Sequence, residues 1–325
     1  MLYQPPQVKL GIPPWSDEDL VRAAMINYGT TQQALQQHPA RDISERLASL
    51  VSLLRLFNKA GGAILQLIEK FHHEAHNNNL FRRNRRHERQ RLEDELQEQL
   101  YVFAASSMSL VDLTRALSSK IYIQGYHERT TSDFSDNPQH RFIQELRVDM
   151  IHVQLHEPGW QLTSGREEGR TTRFLIHPSQ LRRADEYHAM AKKFIADNPA
   201  GINVALLVSQ YSDKVNNFHL WLSGAVETVA SDKLNDLRRS CKIVEAVGSR
   251  MLWQLMFSQF VIQGKRDPYA YLDQYLTLEE MQQVQFLPHR SKQQVDRIIE
   301  LIDDNGACNT ELRELIYKAF NVVGN

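Results

Sequence analysis

Arg147 and His152 are a pair of side chains whose types and spacing match a recognisable chemistry. An imidazole has an unperturbed pKa of roughly 6.5, so a histidine can exchange a proton near neutral pH. An arginine stays charged and presents a fork that matches phosphate oxygens. The two are sufficient for metal-independent RNA cleavage, in which a ribose 2′-oxygen attacks the neighbouring phosphorus. His152 would move a proton, and Arg147 would stabilise the charge on the phosphoryl oxygens.

The pair lies on a predicted helix that ends at His156-Glu157-Pro158-Gly159. The pair is separated by five positions, which is about 140° around a helix of ~3.6 residues per turn. The two side chains can therefore share a cleft only if the helix ends there, or if a second subunit brings a copy alongside. The alternative is a surface arginine and a histidine with a structural hydrogen bond, because this spacing also arises by chance. The apolar face of the helix is Phe142, Leu146, Met150 and Val153.

Three segments around this pair resemble bacterial HEPN-domain proteins. The first ends in Ser109-Leu110-Val111-Asp112-Leu113-Thr114-Arg115, the second runs from Phe142 through Arg147 to His152, and the third is Asn216-Asn217-Phe218-His219-Leu220-Trp221-Leu222. The resemblance covers roughly residues 90 to 225. It implies an all-helical bundle that forms a homodimer with its R-x4–6-H motifs facing each other. In many members this is a ribonuclease site used in toxin-antitoxin or antiphage systems.

The residue after the motif arginine departs from the family pattern. HEPN proteins often have a polar residue there, commonly Asn, whereas this chain has Val148 followed by Asp149. One interpretation is that Asp149 takes over the polar role and supports Arg147 and His152. The other is a catalytically silent member that binds only RNA, nucleotides or protein partners. Asp112 and Arg115 also match, and one turn apart they are interpreted as an ion pair on a helix face.

Arginines are concentrated just before the first of these segments. One hypothesis is a stripe that contacts the phosphates of a nucleic-acid backbone. The other is a solvated helix face in which arginines pair with acids one turn away, namely Glu88, Glu93, Asp94 and Glu95. The predicted backbone-binding residues are Arg82, Arg83, Arg85 and Arg86, with Arg89 and Arg91 following.

Composition sets wider limits on function. Lys+Arg and Asp+Glu balance to a net charge of −1, so any nucleic-acid binding would have to be local. Cys241 and Cys308 are far apart, which indicates a reducing compartment. The N-terminus has no signal-like segment, and no continuous apolar run reaches the ~20 residues of a membrane span. We therefore expect a cytoplasmic protein with no membrane association.

The histidines at 72, 73 and 76 do not form a recognisable metal motif. A zinc helix of the H-E-x-x-H type needs histidines four apart with the glutamate directly after the first, and here Glu74 is misplaced for His72 and His76. His156 and His177 flank a predicted hairpin and are interpreted as solvated loop residues. We expect no metal and no cofactor.

The chain is predicted to be all-α, a HEPN-like helical bundle with a short β-hairpin insertion and helical extensions at both ends. The predicted regions are 1–80, 81–225 and 226–325. The hairpin is predicted at 160–163 and 172–176, where the apolar pattern changes to period two. Gly61-Gly62 either allows a close helix crossing or breaks its helix in two.

The leading hypothesis is a metal-independent endoribonuclease, a homodimer that acts on RNA in bacterial defence or in a toxin-antitoxin module. An antitoxin or another defence protein would be its partner. The first rival is a catalytically silent scaffold that binds RNA, nucleotides or proteins, which Val148 favours. The second is a helical adaptor with no nucleic-acid role, which the neutral net charge favours.

Overall fold

The computed structural model describes residues 8–76, 80, 82–152, 159–165, 169–181, 183–263 and 267–322, without the side chains of 76, 151–152, 162–165, 169–171 and 260–263. These residues are mostly helical and include one small antiparallel sheet. The predicted all-α class is therefore confirmed. The finer prediction of a HEPN-like bundle stays a prediction.

The chain divides into two compact units. The central unit is Asp42–Ser231, and the split unit combines Met1–Arg41 with Asp232–Asn325. This division differs from the predicted one, which separated residues 1–80 from 81–225. Residues 42–76 belong to the central unit because their apolar face is covered there: the Phe57 ring stacks on that of Phe103 with centroids 4.5 Å apart.

Long helices make up most of the central unit. The π-helical turn Thr131–Ser135 follows α5 directly, and π turns are frequent at functional sites. The helices are α3 (Arg41–His76), α4 (Arg86–Ser118), α5 (Tyr126–Thr130), α6 (Pro138–His152), α7 (Ala189–Ala196) and the first part of α8 (Val204–Gln263).

Gly61 permits a close crossing of helices rather than a break. α3 is continuous through Gly61-Gly62. A Cβ at Gly61 would lie 3.3 Å from the Phe103 ring and 3.4 Å from a methyl group of Val208, which are on α4 and α8. A Cβ at Gly62 would meet nothing within 4 Å. Of the two glycines, only Gly61 is therefore required by packing.

The predicted hairpin is present. Strand β1 (Gly159–Gly165) pairs antiparallel with β2 (Gly169–Ile176), with Trp160 opposite Phe174. A third strand, β3 (Ile202–Asn203), adds to β2 and was not predicted, since two residues are too few to give a period. The Trp160 ring stacks on Phe71 of α3. The hairpin is therefore anchored to the helical layer by aromatic contact.

The split unit joins the two ends of the chain. Trp15, Leu20 and Leu35 are buried with Val244 of α8. Further along, Phe257 shares a core with the C-terminal helices. The helices of this unit other than α8 are α1 (Asp17–Ile26), α2 (Tyr28–Gln36), α9 (Leu278–Gln285), α10 (Lys292–Ile302) and α11 (Thr310–Ala319).

One helix of the described chain, Arg41–Ala75, is long and apolar enough to cross a membrane by length and composition alone. No continuous apolar run is visible there in the sequence because Arg55 and Lys59 interrupt it. A single helix of this kind is weak evidence, since core helices of soluble proteins pass the same test.

Candidate functional site

Helix α6 positions the predicted motif. Pro138 occupies its first position, where a missing N–H is harmless, and the Asn137 side chain accepts a hydrogen bond from the backbone N–H of His140 at 3.0 Å. Phe142 and Leu146 are fully buried and fix the rotation of the helix about its axis. The described part of the helix extends to His152, so both motif residues lie on it.

Arg147 is half-buried, and its guanidinium is incompletely satisfied. Its Nε atom is buried with no hydrogen-bond partner among the described residues. A buried donor without an acceptor is unfavourable by about 1–3 kcal/mol. The N–H therefore has an unused hydrogen-bonding capacity, and phosphate oxygens suit a guanidinium well.

Asp149 is tied to a different part of the fold. Its side chain is buried, and its Oδ2 accepts a short hydrogen bond from the hydroxyl of Tyr187, just before α7. Burial, and then the bond to Asp149, raise the pKa of Tyr187 well above its ordinary value, so the phenol keeps its proton. The other oxygen, Oδ1, has no partner among the described residues. Asp149 thus links α6 to the segment before α7.

The meeting of Arg147 with His152 stays a prediction, since the side chain of His152 lies outside the described residues. His156 lies outside them altogether. For His152 the structure describes only the backbone, which belongs to the same helix as Arg147.

The arginines between residues 82 and 91 do not all have the same surroundings. Some are paired with acids, as on a solvated helix face, and others are free to contact phosphates. Arg85 is engaged with acids, at 3.2 Å from Glu74 and 2.8 Å from Glu88. In contrast, four arginines are exposed and make no ion pair with any described residue: Arg82, Arg83, Arg86 and Arg91. Arg82 and Arg83 lie on the turn that precedes α4 rather than on one long helical face. These four remain available for a phosphate backbone.

The central unit also contains a cavity of about 250 Å³ that sequence reasoning missed. Its walls come from α4, α5, the π-helical turn, α6 and α8. His140 is buried there, and its Nδ1 shares a hydrogen bond of 2.7 Å with the Tyr211 hydroxyl. His219 is only 6% exposed, and no hydrogen bond from its ring reaches a described residue. The two buried imidazoles belong to different helices, α6 and α8.

The two buried histidines of the cavity, His140 and His219, are held in the neutral form. Burial lowers the pKa of His140 to about 4, and the positive charges of Arg141, Lys214 and Arg115 act in the same direction. Burial alone lowers the pKa of His219 to about 4. Each ring therefore offers one N–H donor and one acceptor nitrogen at neutral pH.

One signal for this cavity was present in the sequence. His140, Gln144 and Arg147 are spaced four and three residues apart, which places them along one face of α6. The seven positions from His140 to Arg147 correspond to about 10 Å along the helix axis. His140 and Gln144 of this row line the cavity, whereas Arg147 does not. The walls contributed by α4 and α8 are not readable from sequence.

The other candidates from the sequence are the histidines near residue 72 and the Asp112 and Arg115 pair. The His72 ring nitrogen lies 2.9 Å from the Thr172 hydroxyl on β2. Within the described part of the chain, no group of three or more His, Cys, Asp or Glu could hold a metal ion. The interpretation of Asp112 and Arg115 as an ion pair is wrong, because the two are exposed and unpaired among the described residues. Arg115 lines the cavity instead.

No family model, no curated protein and no solved structure matches this chain. The resemblance to HEPN proteins therefore depends on the quoted motif residues alone.

Proposed function

We propose that this protein is a HEPN-type, metal-independent endoribonuclease that works as a cytoplasmic homodimer in bacterial defence or in a toxin-antitoxin module. The observation that carries the proposal is the buried, unpartnered Nε of Arg147 on the helix that also carries His152. A guanidinium N–H that lacks an acceptor among the described residues is suited to an anion supplied from outside. In this proposal the anion is the scissile phosphate.

The reaction needs no metal. The 2′-oxygen of a ribose loses its proton to an imidazole and forms a bond to the adjacent phosphorus, while the bond from phosphorus to the 5′-oxygen breaks and that oxygen gains a proton. Arg147 stabilises the charge on the phosphoryl oxygens. His152 moves the protons, and the facing subunit supplies a second imidazole. The products end in a 2′,3′-cyclic phosphate and a 5′-hydroxyl.

Two further groups support this chemistry. Asp149 holds the C-terminal half of α6 against the segment before α7 through Tyr187. It is therefore a positioning residue for its neighbours. The exposed Arg82, Arg83 and Arg86 bind the substrate backbone by charge alone, which confers affinity without sequence preference.

A second candidate function is a catalytically silent module that binds RNA, nucleotides or a defence partner. The observation in its favour is that the Asp149 carboxylate bonds to Tyr187 and so is committed within the fold. Val148 supplies no polar group in its place. Such a protein would keep the arginine-dependent affinity for RNA and lack cleavage.

The first prediction is EDTA-resistant cleavage of total RNA by the purified protein, with 2′,3′-cyclic phosphate ends. Arg147→Ala and His152→Ala each remove the cleavage, because each deletes a group that acts at the phosphorus. Arg183→Ala is the matched control, since Arg183 lies near the same helix but pairs with Glu186 at 2.7 Å. Circular dichroism checks that each variant is folded.

Equal cleavage by all four proteins would identify a contaminating nuclease and contradict the proposal. Binding without cleavage would support the silent module instead. That binding should weaken with added salt and in the Arg82→Gln, Arg86→Gln double variant. Arg85→Gln serves as its control, because Arg85 is already paired with Glu88 at 2.8 Å.

A further inference from the structure

The cavity between α4, α6 and α8 has the features of a binding site that is separate from the motif at the end of α6. It is a partly open cavity lined by side chains of four helices and a π-helical turn, and its volume of about 250 Å³ suits a small organic molecule. His219 is 94% buried yet has no hydrogen-bond partner among the described residues, and it lines this space. A ring nitrogen without a protein partner can hydrogen-bond a ligand or water that enters the cavity.

The charge around the cavity has one sign. The lining residues include two arginines, Arg115 and Arg141, and, among the described residues, no Asp or Glu. Arg115 has no acidic partner in the described part of the chain. Among the described residues, Arg141 donates hydrogen bonds only to neutral acceptors, the Ser135 carbonyl at 3.2 Å and the Gln144 side chain at 3.0 Å. The nearby Asp133 is already paired with Arg129 at 2.7 Å. The positive charge of these two arginines is not neutralised by a described acid, which favours the binding of an anion.

The interior of the cavity is aromatic. Phe134 of the π-helical turn lies 4.9 Å from Phe218 between ring centroids, in an edge-to-face arrangement. It also lies 5.1 Å from the His140 ring. Tyr126 and Tyr211 complete the lining. Aromatic walls of this kind favour a planar ring, which can pack against them by stacking or edge contact.

We infer that this cavity binds a small organic anion that carries a planar ring. Its phosphate or carboxylate lies between Arg115 and Arg141, its ring packs against Phe134 and Phe218, and His219 donates or accepts one hydrogen bond. The chemistry of an oxyanion on a planar ring is common to aryl phosphates and aryl carboxylates. The arginine fork accommodates both.

The test is calorimetric titration of the full chain with four probes. Phenyl phosphate and benzoate carry both features, inorganic phosphate lacks the ring, and benzyl alcohol lacks the charge. We expect saturable binding of phenyl phosphate or benzoate, at least tenfold tighter than inorganic phosphate. Benzyl alcohol should not bind. The tighter of the first two probes identifies the oxyanion.

Substitution of the arginines localises the binding. Arg115→Gln and Arg141→Gln should each weaken the preferred probe by about tenfold or more, since each removes a charge-assisted hydrogen bond. Arg129→Gln is the matched control, because Arg129 belongs to the same segment but is paired with Asp133 and does not line the cavity. Arg115 is exposed, so its substitution should leave the fold intact.

Three results would overturn the inference. The first is no saturable binding of either ring-bearing anion with a Kd below about 10 mM, which would mean a cavity filled by water only. The second is equal affinity for inorganic phosphate and phenyl phosphate, and the third is an equal effect of the Arg129 and Arg115 substitutions. None of these results depends on RNA cleavage, so a failure here is distinguishable from a failure of the proposed nuclease.

Discussion

Arg147 and Asp149 lie two residues apart on α6, and their surroundings differ accordingly. Two residues are about 200° around the helix axis, so the side chains leave on nearly opposite sides. Asp149 meets Tyr187, 38 residues later in the chain. Sequence reasoning found both residues from the motif spacing. It could not find Tyr187, because no local pattern connects residues that are far apart in the chain and meet only through packing.

At the residue scale, the buried His140 and His219 predict a loss of stability in acid. The pKa of each is near 4 in the folded protein and about 6.5 when unfolded, so between these values the unfolded chain binds more protons. The stabilisation that the neutral rings give to the folded state is complete above about pH 6.5. It is lost as the pH falls toward 4, and the free energy of unfolding decreases by up to about 3 kcal/mol per histidine.

His219→Leu should therefore reduce the dependence of unfolding free energy on pH between about 6.5 and 4. Urea titrations at several pH values measure the free energy of unfolding and so its dependence on pH. His127→Gln is the control, since His127 is exposed. An unchanged pH dependence in His219→Leu would show that this ring is not neutral in the fold. Carboxylates contribute equally in all three proteins.

At the element scale, the helices show where local signals succeed and where they fail. The hairpin was predictable because Trp160 and Phe174 belong to segments of period two. The predicted boundary between residues 225 and 226 falls inside α8, which is continuous. Ser231-Asp232 resembles a helix start, but the apolar stripe continues past it and dominates. Its buried members are Leu222, Val226, Ala230, Leu234 and Leu237.

Gly61 and Gly62 provide a matched pair for testing helix packing. Gly61→Leu should destabilise the protein by about 1–3 kcal/mol, because the new side chain has to displace Phe103 and Val208. Gly62→Ala should stabilise it by about 0.5–1 kcal/mol, since no atom lies within 4 Å of the new methyl group. Urea midpoints followed by circular dichroism measure both. Equal effects at the two positions would contradict the close crossing at Gly61.

At the scale of the whole molecule, the split unit depends on contacts between distant parts of the chain. His38 lies 3.1 Å from Asp236, and Arg239 donates a hydrogen bond of 2.6 Å to the Trp15 carbonyl. Sequence reasoning placed domain boundaries along the chain at residues 80 and 225. It could not predict that residues 1–41 belong with 232–325, since composition does not record which distant segments meet.

Leu20→Ala tests this division. Leu20 is fully buried, so the substitution should destabilise the split unit by about 2–5 kcal/mol. Hydrogen exchange should accelerate at amides 236–247 of α8, while amides 92–117 of α4 serve as the control within the central unit. Equal acceleration in both ranges would mean that the two units unfold together.

The composition of the split unit also constrains the order of events during translation. Trp15, Leu20 and Leu35 leave the ribosome before any of the central unit, whereas their core partner Val244 is synthesised after it. At about 5–20 residues per second, the delay is roughly 10–40 seconds. The nascent N-terminal helices therefore wait with unburied apolar faces while Asp42–Ser231 is completed.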